Sequence, residues 1–179
     1  MDTAELRKAV IFAELQDAEA ERLLAMARPQ RCQKDECLFL LGDHADRLYV
    51  VLRGSVELTF PLSFGGVVRD VPVESKAPGS ALGWSALVKP HRFTLSARAA
   101  EPSELAAFLR QDLFQVFEAE PRIGYVVMRH IAEVVGRRLL QMQALWAREL
   151  QRAVTSSLEA SAKLKPWEAD STGRKGQDR

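Results

Sequence analysis

The stretch Lys34–Leu58, KDECLFLLGDHADRLYVVLRGSVEL, decides the fold. It holds short apolar runs, CLFLL, RLYVVLRG and the start of SVELTF, parted by GDHAD (Gly42–Asp46) and by Gly54. Runs of about four to eight residues rich in Val, Leu, Phe and Tyr read as strands; they are too short and too often broken for helices. The same grammar begins at Gln30 and continues through VVRDVPV (Val67–Val73) and RFTLSARA (Arg92–Ala99). Strands at this spacing predict an antiparallel all-β barrel or roll. Gly42, Gly54, Gly65, Gly66 and Gly79 punctuate it as turn residues.

On either side the periodicity is helical. Residues 4–27 carry Leu6, Val10, Ile11, Phe12 and Leu15, then Leu23, Leu24 and Met26, near helical spacing. Asp17, Glu19 and Glu21 suit the start of a second helix, because acids are favoured at the positive end of the macrodipole. Pro29 stops it. Downstream, Gln111–Glu118 reads as a short helix and Pro121 suits a first helical turn. A long pattern then runs to about Ala162, with the seam Met128, Ile131, Val135, Leu139, Met142, Trp146, Leu150 and Ala153. Some ~40 helical residues would extend ~60 Å, more than a small barrel covers. The same helix of a second subunit is the expected cover; the alternative is a helix that folds back or frays after Leu150. Residues 163–179, KLKPWEADSTGRKGQDR, cannot bury enough to offset their ordering entropy and read as a mobile tail, with Trp167 an isolated exposed aromatic.

With 179 residues and 47% hydrophobic composition, the chain supports one domain with a real core plus an appendage. The expected division is 1–150 for the domain, long helix included, and 151–179 for the helix end and tail. Lys plus Arg (25) nearly cancels Asp plus Glu (24), so net charge argues for neither nucleic acid nor an anionic membrane as partner. The first 27 residues, MDTAELRKAVIFAELQDAEAERLLAMA, lack the uninterrupted apolar core of a signal peptide, and no stretch reaches the ~18 apolar residues of a membrane span. A cytoplasmic protein is expected. Cys32 and Cys37 suit neither a disulfide framework nor a four-ligand zinc site; they read as strand thiols, with a redox role left open.

This order of elements resembles the cyclic-nucleotide-binding domain of the catabolite activator and fumarate–nitrate regulator superfamily. The residues that carry the resemblance are IFAEL (Ile11–Leu15), Lys34–Leu58, GSALGWSAL (Gly79–Leu87), SARA (Ser96–Ala99) and VVGRRL (Val134–Leu139), covering about residues 10–150. It implies a mainly β fold with flanking helices: a double-stranded β-helix, or jelly roll, followed by a long C-terminal dimerisation helix. In that family a cassette between two strands holds the ring phosphate of the nucleotide. Amide hydrogens at the start of a short helix point at the anion, small residues allow close approach, an Arg neutralises the charge and a Glu accepts from the ribose hydroxyl. Carried over, the cassette is Leu82–Leu87, followed after Pro90 by Arg92, Phe93 and Thr94. The candidate ligand-binding residues are Gly83, Trp84, Ser85, Ala86, Arg92, Phe93, Thr94 and, on the long helix, Met142.

Three of these depart from the family pattern. Trp84 stands where the ribose-binding Glu falls and offers one donor and no acceptor oxygen. Phe93 stands at the phosphate-binding Arg, with Arg92 one residue earlier and so on the opposite face of a strand, unless the loop before it absorbs the offset. Met142 replaces the hydroxyl that nucleotide binders commonly present to the purine. The pocket is expected to be drier than that of a cyclic-nucleotide sensor. Trp84 either plugs the vacated space or stacks on a ligand; Arg92 is either a solvated loop or ion-pair residue or a phosphate ligand; Ser85 and Thr94 either satisfy turn amides or donate to an oxyanion. His44, His91 and His130 are too scattered for a metal site, although the family includes haem binders and His91 lies beside the cassette. Arg129, Arg137 and Arg138, interleaved with Glu133, read as a solvated flank.

Fewer than thirty residues follow Leu150 and they show no helix-turn-helix pattern, so direct DNA binding is not expected. Nor is an enzyme, since the chain lacks a nucleophile elbow, a Walker loop and clustered metal ligands. The expectation is a homodimeric ligand-sensing regulatory domain, joined through the long helix, whose altered cassette argues against strong cyclic AMP binding and leaves the ligand unassigned. The alternatives are a ligand-free protein–protein interaction module with a regulatory protein partner, or a regulator that hetero-dimerises with full-length transcription factors.

Overall fold

The computed structural model of the chain describes residues 3–163. In order it forms α1 (Thr3–Arg7), a 3-10 turn (Val10–Phe12), α2 (Asp17–Met26), strands β1 (Arg28–Cys32), β2 (Cys37–Phe39), β3 (Arg47–Arg53), β4 (Val56–Phe64), β5 (Val67–Lys76) and β6 (Ala81–Leu82), and a second 3-10 turn (Trp84–Ala86). Strands β7 (Ser96–Ala99) and β8 (Ser103–Leu109) follow, then α3 (Arg110–Ala119) and α4 (Pro121–Lys163). The expected tail, with Trp167, falls almost entirely in 164–179, outside the described residues.

The strands form two antiparallel four-stranded sheets, β1-β8-β3-β6 and β2-β7-β4-β5. This is the expected jelly roll. Its core holds Phe39, Tyr49, Val51, Val56, Leu58, Leu82, Phe93 and Leu105. Strand β3 is buried on both faces, which explains the unbroken apolar run Leu48–Val51. Tyr49 and Val51 enter the core of the roll. On the other face of the β1-β8-β3-β6 sheet, Phe108 meets Phe12 of the lead-in segment edge to face at 5.4 Å. Gly54 turns β3 into β4 with a φ of 77°, and a Cβ there would come within 2.6 Å of the Pro102 carbonyl oxygen, so no other residue fits without a shift.

The lead-in is more broken than its periodicity suggests. Only a five-residue α1 and a single 3-10 turn precede α2, which begins at Asp17, where the acids place it. The Gln16 amide donates to Glu19 Oε2 at 2.7 Å, closing the first turn. Helix α2 ends at Met26, and Pro29 lies inside β1, not ahead of the first strand. Because β1 is an edge strand, a missing amide hydrogen is tolerated there. RFTLSARA is strand only over Ser96–Ala99; its first half is a loop held by one bridge, His44 to Arg92.

Two compact units divide the chain, 1–134 and 135–179. In the first, Ile123, Val127 and Ile131 of α4 are buried. Glu14 pairs with Arg129 and, at 3.4 Å, with His130 Nε2, while Glu19 pairs with Arg122 and Glu120 with Arg22. Arg129 is therefore an anchor to the lead-in segment and not part of a solvated flank. In the second unit Leu139, Met142, Trp146 and Leu150 are all exposed. Among the described residues no helix is long and apolar enough to cross a membrane.

Candidate functional site

The cassette begins where β6 ends. Gly83 adopts a left-handed φ of 76°, which lets the chain leave β6 and enter the 3-10 turn Trp84–Ala86 at once. A Cβ on Gly83 would come within 2.8 Å of the Arg47 carbonyl oxygen and 3.3 Å of both Phe93 Cε1 and Tyr49 Cδ2. The turn is thus seated directly on the aromatic core. Within it the amides of Ala86 and Leu87 donate to the carbonyls of Gly83 and Trp84, both at 2.9 Å, which leaves the amides of Trp84 and Ser85 at its open end. Ser85 and Ala86 are buried and Trp84 is half-buried.

The loop back to β7 is tied to this turn by His91. Its Nδ1 donates to the Ala86 carbonyl at 3.0 Å, its amide donates to Val88 at 3.0 Å and its carbonyl accepts from Ala45 at 2.8 Å. His91 reaches these partners with φ at 57°, a conformation uncommon outside glycine. Both its ring geometry and its backbone serve loop closure. Among the described residues no group of three or more His, Cys, Asp or Glu could hold a metal.

Phe93 and Arg92 then part. Phe93, 4% exposed, lies face to face with Phe39, centroids 3.7 Å apart and planes within 11°, and Phe39 stacks in turn on Tyr49 at 5.8 Å. Its backbone pairs with Gly42 and Asp43. Arg92 is exposed, and its Nη1 donates to the Gly42 carbonyl at 2.7 Å, so the guanidinium clasps the turn before β3 on the outside of the roll. Thr94 is exposed as well. Met142 lies in the second unit and is 61% exposed. The structure therefore gathers Gly83, Ser85, Ala86 and Phe93, keeps Trp84 at the margin and turns Arg92 and Thr94 to solvent.

Burial raises both thiols, Cys32 at the end of β1 and Cys37 at the start of β2. Tyr49 is likewise pushed up by burial, with Arg47 opposing. Phe39 and Tyr49 escaped notice as site residues. The alternation of CLFLL and RLYVVL puts each on an inner face, yet nothing local in the sequence says that they meet Phe93 across the roll.

A two-sheet antiparallel roll with a glycine-led turn between β6 and β7 defines a class of regulatory domain. The chain belongs to the cyclic nucleotide-binding domain family, which matches residues 29–120. It is 26% identical over 152 residues to the cyclic AMP receptor protein of Thermus thermophilus, covering 83% of this chain and 67% of that one. It is similar in structure to the N-terminal domain of a transcriptional regulator from Streptomyces coelicolor, with 26% identity, a TM-score of 0.64, and 76% of this chain and 94% of that one covered. A cyclic nucleotide-binding domain from Methylobacillus flagellatus shares the fold at 20% identity, with a TM-score of 0.68 and 78% and 79% covered.

Proposed function

We propose that this chain is a homodimeric ligand-sensing regulatory domain whose roll does not bind cyclic AMP strongly. One observation carries the reading: Phe93, at the position of the family's phosphate-binding Arg, is stacked on Phe39 inside the core and brings no charge. An anionic ring phosphate placed there would lose hydration without gaining a counter-charge. Arg92 offers no substitute in this arrangement, since its guanidinium is engaged by Gly42 outside the roll. Trp84 has no oxygen with which to accept from a ribose hydroxyl. Support for dimerisation comes from the second unit, where Leu139, Met142, Trp146 and Leu150 recur at steps of three and four along α4 and are exposed together. A ligand would shift such a dimer only through its differential affinity for two helix arrangements.

The Phe93–Phe39–Tyr49 stack favours one further reading, a ligand-free interaction module that keeps the roll as a scaffold. Titration with cyclic AMP and cyclic GMP, followed by Trp fluorescence and melting temperature, tests the main proposal. Neither nucleotide is expected to raise the melting temperature at micromolar concentration. A saturable rise would overturn it, because a ligand that binds only the native state must stabilise it.

A further inference from the structure

On the β1-β8-β3-β6 sheet, the inner face changes chemistry at one end. Side chains at directly paired positions share a face, and the register sets Arg28 and Tyr49 on either side of Ala107, Gln30 beside Leu105 and Arg47 beside Leu109. Further along the same face are Cys32, Val51 and Leu105, all core residues. At this end the inward positions carry Arg28, Gln30 and Arg47 instead, and small Ala107 leaves room between them. A cleft of about 150 Å³ results, lined by these three with Pro29, Ala107 and Leu109.

Arg47 lines it with a side chain that is 43% exposed; its Nε is buried without a hydrogen-bond partner, while its guanidinium is also hydrogen-bonded to Tyr49. The nearest carboxylate, Asp46 Oδ2, stands at 3.6 Å, beyond hydrogen-bond reach. Arg28 is engaged only loosely, with Asp112 at 3.7 Å. Neither carboxylate lines the cleft. Among the described residues the other buried guanidinium nitrogen without a partner, Arg129 Nε, differs in that its Nη2 is held by Glu14. A buried donor left unpaired is costly, and a guanidinium fork suits planar or tetrahedral oxyanions.

We infer that the cleft between Arg28, Gln30 and Arg47 is a binding site for a small free oxyanion of the phosphate type. Its volume is below the ~300 Å³ at which ordinary ligand pockets begin, which suits a small anion better than a nucleotide. None of the cassette residues lines it, so it is a second site. Arg47 nevertheless joins the two, because its carbonyl is the atom that a Cβ on Gly83 would strike.

Inorganic phosphate, titrated by calorimetry and by 31P line broadening at constant ionic strength, is the probe. The expected result is saturable binding weakened at least tenfold in Arg47→Met and in Arg28→Met, and unchanged in Arg92→Met. Arg47→Met also removes the guanidinium's hydrogen bond to Tyr49, so its fold is checked by near-ultraviolet circular dichroism before titration. Should that variant not fold, Arg28→Met and Gln30→Leu carry the comparison. Absence of saturable binding by the parent overturns the inference. So does binding lost in Arg92→Met and kept in Arg47→Met, which would place the anion at the cassette.

Discussion

Phe93 stacks on Phe39 at 3.7 Å and is part of the core of the roll. Two consequences are separable. Phe93→Ala removes a ring that is 4% exposed and is expected to destabilise the roll by about 3–5 kcal/mol in urea unfolding. Adding the missing chemistry tests the cassette itself. Trp84→Glu combined with Phe93→Arg is expected to create saturable cyclic AMP binding in calorimetry, because the Trp84 and Ser85 amides already stand at the open end of the turn. Continued silence from a folded double variant would mean that the turn is not shaped for phosphate.

Gly83 is the second point of failure. Alanine there must adopt a left-handed φ, costing roughly 1–2 kcal/mol, and its Cβ would press on the Arg47 carbonyl oxygen at 2.8 Å. Gly83→Ala is expected to lose at least about 2 kcal/mol by urea unfolding. Gly66→Ala, where a Cβ meets nothing within 4 Å, is expected to lose less, having the conformational cost alone. Equal losses would show that the close approach at Gly83 does not matter.

The roll was legible because its signal is local. Short apolar runs separated by glycines and polar turns specify strands, and β3, buried on both faces, reads as the unbroken LYVV. The acids Asp17 and Glu19 likewise marked the start of α2 within a residue. What was hidden depends on distance across the roll. The stack of Phe93 on Phe39, the clasp of Arg92 on Gly42 and the anchoring of Arg129 by Glu14 each join residues far apart in sequence. No periodicity encodes which inward side chain meets which. The strand reading of RFTLSARA failed for a related reason. Its first half is held by His91 in a left-handed conformation and by a single bridge, neither of which leaves a mark in the apolar pattern.

The ion pairs that fasten the lead-in segment to α4 make stability depend on acid. Glu19 is held below its ordinary value of 4.5 chiefly by the hydrogen bond from Arg122, and Glu14 is lowered chiefly by the hydrogen bond from Arg129. A carboxylate lowered in the folded state binds its proton later than in the unfolded chain. Its contribution is fully present above the unfolded value and is lost as pH falls through the folded one. Urea unfolding between about pH 3 and pH 7 is expected to show stability falling on the acid side. Glu19→Gln should flatten part of that slope. A variant with the parent's slope would mean that this pair does not link to folding.

The exposed stripe on α4 supports the last expectation. Trp146, 69% exposed, and Leu150 lie one turn apart, and Trp146 with Met142 and Leu145 borders a shallow apolar hollow in the second unit. Apolar surface of this kind, recurring at helical spacing, gains most by meeting its own copy across a two-fold axis. Large aromatic side chains at the centre of such a contact commonly contribute more than about 2 kcal/mol each. Trp146→Glu with Leu150→Glu is therefore expected to convert a dimer to a monomer in sedimentation equilibrium, while near-ultraviolet circular dichroism reports an intact roll. The substitutions lie outside the 1–134 unit, so loss of that spectrum is not expected. A parent that sediments as a monomer, or a double variant that remains a dimer, would remove α4 from the assembly and with it the proposed coupling of ligand to helix arrangement.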